Sequence, residues 1–74
     1  MIGRTEKTLF THYAICAKRL RELEEKEDMI GSDAWEEERV LVYELEDIIT
    51  DCWLDEEFNH WLDRSPFKGE VDYL

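Results

Sequence analysis

The residues whose chemistry stands out first are Glu57 and His60, in the run Glu57-Phe58-Asn59-His60. On a helix, positions three apart share a face, so this carboxylate and imidazole could grip one metal ion. Di-iron bundles are built from such motifs, but they need two of them plus further inward carboxylates. Here the motif occurs once, and His12, the remaining histidine, falls near the polar edge of another helix. The expectation is therefore no metal and no cofactor, with His60 an exposed imidazole among acids. Carboxylates also stand side by side in Glu36-Glu37-Glu38 and Asp55-Glu56-Glu57. General acid catalysis needs one of them desolvated so that its pKa rises, and a solvated helix face does not provide that. Cys16 and Cys52 both fall on apolar helix faces, where a thiol is inert. No phosphate loop, nucleophile elbow or zinc spacing occurs. The residue chemistry points away from an enzyme.

Charge points instead to binding. Twenty acids against nine bases give a formal net charge of -11 on 74 residues. Such a density repels DNA, RNA and anionic membrane surfaces, which excludes direct nucleic-acid or membrane binding as the expected activity. It attracts basic surfaces, including those with which proteins hold nucleic acid. The plainer alternative is that the acids only keep the protein soluble. With 43% hydrophobic residues and three each of Trp, Tyr and Phe, the chain should fold. Its length allows one domain, residues 1–74, close to the size below which association with a second copy becomes an easy source of stability. Two cysteines are too few for a disulfide framework. The start of the chain leads into an amphipathic stretch, and the longest apolar run is Val40 to Tyr43. The expected location is the reducing cytoplasm.

Three helices must position these groups. Leu9, Phe10, Tyr13, Cys16, Ala17, Leu20 and Leu23 fall within about 140° of a wheel at 100° per residue. Their spacing predicts a first helix from about Thr5, as cap, to Asp28. Gly31 then supplies a left-handed turn. Asp33, with Glu36 three residues on, reads as a capping box opening a second helix that runs to Trp53. On it Trp35, Leu41, Val42, Leu45, Ile48, Ile49, Cys52 and Trp53 form the apolar side, which Glu38 interrupts. The short connection implies an antiparallel hairpin. Asp55 should cap a third helix ending near Arg64, before Pro66. The aromatics Trp53, Phe58, Trp61, Phe67 and Tyr73 crowd the C-terminal third, Trp53 as core and Trp61 and Phe67 as partner contacts.

Opposite the apolar side of the second helix lie Glu36, Glu37, Glu44, Asp47, Asp51 and Asp55. Residues four apart sit about 6 Å apart along the axis. That is close to the spacing of successive phosphates on a nucleic-acid strand, so a carboxylate row can imitate a backbone. Any acidic amphipathic helix also has this look. Val40 and Tyr43 interrupt the polar side, in the row Glu36, Val40, Tyr43, Asp47. They could anchor an interface, lie under the third helix and tail, or meet a second copy of the chain. Ile15 is similarly placed on the first helix.

The reading is an all-α fold, an antiparallel hairpin with a short third helix and a C-terminal tail, as a small three-helix bundle or a hairpin dimer. The expected function is a protein-binding inhibitor or regulator that docks on a basic, nucleic-acid-binding surface of a larger protein. Its contact residues are Glu36, Glu37, Val40, Tyr43, Glu44, Asp47, Asp51, Asp55 and Trp61. The alternative is a structural or adaptor homodimer whose acids are only solubilising. In general type (short, acidic, aromatic-rich, without catalytic signatures) the chain is similar to small phage-encoded inhibitors of host defence or transcription proteins. That likeness rests on no shared motif.

Overall fold

The computed structural model describes residues 3–74. It is all-α, with three α-helices joined by turns: α1, Arg4–Glu24; α2, Asp33–Asp51; and α3, Asp55–Asp63. A single 3-10 turn, Glu27–Met29, lies between α1 and α2. The molecule measures 42 × 22 × 17 Å, the shape of two helices of about 30 Å laid side by side.

The helix ends depart from the expected ones, each for a local reason. The first helix begins after Gly3, not Thr5, and has no side-chain cap. Thr8 and Thr11 turn their hydroxyls back to the carbonyls of Arg4 and Lys7. At its other end α1 stops at Glu24, four residues before Asp28. Glu24, Glu25, Glu27 and Asp28 crowd that terminus, where the helix dipole is negative and carboxylates are unfavourable. Gly31 does take the left-handed conformation, at φ 88°, but it follows the 3-10 turn and does not end α1 itself. The cap of α2 is Ser32, whose Oγ accepts from the Trp35 amide at 3.2 Å. The Asp33–Glu36 capping box does not form, and Glu36 accepts from Arg39 instead. Nor does Asp55 cap α3; Leu54 holds that position, and Asp55 is its first helical residue.

The second helix ends at Asp51, two residues early, in a Schellman motif. The Leu54 amide donates to the Ile49 carbonyl at 2.9 Å and the Trp53 amide to Thr50 at 3.1 Å. The residue forced into the left-handed region is Trp53, at φ 59°. This turns its side chain away from the body, and Leu54 packs against the core in its place. Trp53 is therefore 87% exposed, not a core residue.

The core is built from Phe10, Tyr13, Ala14 and Cys16 of α1, Val42 and Ile49 of α2, Phe58 and Leu62 of α3, and Val71 of the tail. Its centre is aromatic. Phe58 meets Phe10 and Tyr13 edge-on, with centroids 5.5 and 5.2 Å apart. Trp61 stacks between Phe58 and Phe67. Such pairs add to area burial, and large rings fill volume that so short a chain cannot fill with aliphatic groups. The tail packs on its own domain. Asn59 holds Leu74 by two hydrogen bonds, donating to its carbonyl and accepting from its amide. Arg21 donates to the Glu70 carbonyl, and Lys18 pairs with the Glu70 carboxylate at 3.3 Å. Tyr73 donates to Asp63. These contacts lay α3 and the tail over one side of the α1–α2 pair.

Candidate functional site

The acidic row is a property of α2 as a helix. Among its residues stand eight carboxylates and one cation, Arg39. At 100° per residue the apolar core positions Val42 and Ile49 define the inner side, and Glu44, Asp47 and Asp51 project about opposite them. All three are exposed, as are Glu36 and Glu37, while Asp55 is half-buried. Among the described residues there are three ion pairs, of which the row contributes one, Glu36 with Arg39 at 3.1 Å. Glu37, Glu44, Asp47, Asp51 and Asp55 take part in none.

Val40 and Tyr43 lie beside this row and are 44% and 52% exposed. Neither α3 nor the tail covers them. Arg39 lies over the Tyr43 ring at 5.1 Å and over the Trp35 ring at 5.5 Å. One guanidinium thus holds both rings along the helix edge. The expected contact residues of α2 therefore share one continuous surface: carboxylates flanked by an apolar strip that a single cation borders.

Trp61 sits elsewhere. It is half-buried, with its ring centroid 5.8 Å from that of Phe10 and also from that of Phe58. The aromatic cluster holds it, and Phe67 beside it packs on the core as well. The two tryptophan roles expected from the sequence are thus exchanged, since Trp53 is the ring in solvent. No glycine marked the end of α2, and its left-handed turn was the signal needed.

Glu38, which breaks the apolar side of α2, lies between the helices with its side chain 15% exposed. It faces Arg19 across a 3.9 Å pair. Burial, and next the Glu38 charge, push the Cys16 thiol up, against the opposing pull of Arg19. Tyr13 is pushed up to about 12, first by burial and then by Glu46 and Asp72. Both groups stay protonated at neutral pH. Cys52, by contrast, is exposed, although its wheel position placed it on the apolar side. Glu57 is exposed and His60 is exposed beside it. Among the described residues no group of three or more His, Cys, Asp or Glu is placed to hold a metal ion, and no helix is long and apolar enough to cross a membrane. No family model matches the chain, and no curated protein or solved structure matches it either.

Proposed function

We propose that the protein is a binding regulator that lays the outer face of α2 on a basic surface of a larger protein, such as one that holds nucleic acid. The observation that supports this reading is the row Glu44, Asp47 and Asp51, exposed and without ion-pair partners among the described residues, beside exposed Val40 and Tyr43. A row of carboxylates raises the encounter rate with a cationic surface. Once the surfaces meet, Tyr43 and Val40 exclude water and lengthen the complex's lifetime. The row imitates a phosphate backbone in charge and spacing, so the docked protein would compete with nucleic acid for its partner.

The test begins with capture of partners from the native host and their identification by mass spectrometry. The dissociation constant is then measured against salt. A steep rise in it between low and moderate salt is expected, because exposed charges beyond a Debye length of ~10 Å are screened at 0.1 M. Reversal of Glu44, Asp47 and Asp51 to lysine should abolish binding, while reversal of Glu24, Glu25 and Asp28 at the far turn should not. Salt-insensitive binding would overturn the proposal.

A further inference from the structure

The side of the α1–α2 pair away from α3 and the tail carries apolar residues that nothing among the described residues covers. On α2, Leu41 and Ile48 are 40% and 47% exposed, and Ala34 and Cys52 are exposed with them. Positions 34, 41, 48 and 52, at steps of seven, seven and four, form one exposed stripe, while Glu38 and Leu45 turn inward towards α1 and the core. That heptad spacing is how a helix meets another helix along a seam. The inner side of α2 has its own partner in the core through Val42 and Ile49, so the stripe is a second seam. Across the shallow groove beside it lie Arg19 and Leu23 of α1, and Ile15 lies further along α1.

We propose that a second copy of this chain covers this face, with α1 of each copy lying across α2 of the other. Charge selects that partner and that geometry. Within α1 stand five cations, Arg4, Lys7, Lys18, Arg19 and Arg21, against the carboxylates Glu6, Glu22 and Glu24; Lys18 and Arg21 are held by Glu70 on the tail side, and Arg19 is the α1 cation beside this groove. The second helix has one cation against eight carboxylates. A two-fold axis parallel to the helices sets α1 against α2 at equal height. Arg19, level with Glu38 in its own chain, then approaches Glu37 of the second copy. The other two-fold arrangement lays α2 on α2 and brings the acidic helices together.

The face is also large enough. Two helices of 21 and 19 residues present roughly 30 × 20 Å, about 600 Å² per copy, or ~1,200 Å² in all, the lower bound for a specific interface. The result is a weak dimer. Val40, Tyr43 and Asp47 lie roughly 120–180° around α2 from the stripe, outside the seam.

Sedimentation equilibrium of the full chain, up to about 1 mM at the weak end of the affinity scale, tests this without any other protein. The expected mass rises from 9.0 kDa towards twice that value. Leu41→Gln with Ile48→Gln should remain monomeric with unchanged helical circular dichroism, because both side chains are already half exposed. Glu37→Lys should weaken association at least tenfold, even though it brings the net charge nearer zero. A wild type that stays monomeric, or a dimer that survives the glutamine pair, overturns the interface. A dimer tightened by Glu37→Lys overturns the α1-on-α2 arrangement. Neither result bears on docking to a basic partner, which is measured separately.

Discussion

Replacing Trp53 by glycine should make this protein more stable, although it removes one of only three tryptophans. Trp53 holds the left-handed position of the Schellman turn at φ 59°, where glycine is the usual residue. An L-residue there costs about 1–2 kcal/mol, because its Cβ crowds the following carbonyl. Glycine removes that cost and gives back about 0.5–1 kcal/mol through the greater freedom of its unfolded chain. At 87% exposure the indole contributes little burial to lose. The net gain is about 0.5–1 kcal/mol, which corresponds to a Tm increase of roughly 2–8 °C for a domain this small. Thermal unfolding followed by far-ultraviolet circular dichroism reads it directly. Trp53→Ala is the decisive control, since alanine keeps the Cβ and therefore the strain. If the glycine variant melts no higher than wild type, or the alanine variant gains as much, the left-handed strain at Trp53 is not what the structure implies. A tryptophan that costs stability and fills no core space invites a surface role.

Two further outcomes follow from the buried groups. In native conditions a thiol reagent should modify Cys52 quickly and Cys16 only as fast as the domain opens, because Cys16 is 2% exposed and protonated. Equal reaction rates at the two thiols would contradict the packing around Cys16. Stability should also fall on the alkaline side. Tyr13 has its pKa raised from 10.0 to about 12 in the fold, so the native state keeps a proton that the unfolded chain releases. Stability is complete below the unfolded value and declines as pH rises through this window. The upward shifts of Cys16, by burial, and of Tyr73, by its hydrogen bond to Asp63, act in the same direction. Chemical denaturation at about pH 8 and about pH 11 should show the loss, and Tyr13→Phe should reduce it; an unchanged midpoint would refute the assignment.

Much of the helical architecture is legible in the linear pattern. The three- and four-residue spacing of Phe10, Tyr13 and Cys16, and of Val42, Leu45 and Ile49, specifies helices and their inner sides, because that period fits no strand. The placement of Glu44, Asp47 and Asp51 on the outer side of α2 follows from the same arithmetic. What the pattern does not contain is how wide a buried arc each helix has. Leu41 and Ile48 belong to the apolar arc of α2 by sequence, yet stand half in solvent because α3 and the tail cover only the other side of the pair.

The two tryptophans divide the matter clearly. Composition shows that the C-terminal third is aromatic, but not which rings are buried. Trp61 is drawn in because the α3 helix sets it beside Phe10, Phe58 and Phe67. Trp53 is turned out by two backbone hydrogen bonds that end α2, with no glycine to announce them. Helix faces follow from nearest-neighbour geometry along the chain and can be read in order. Burial depends on which distant segments meet, and here Asn59 holding Leu74 and Arg21 holding Glu70 decide where the tail lies and which side of the hairpin stays open.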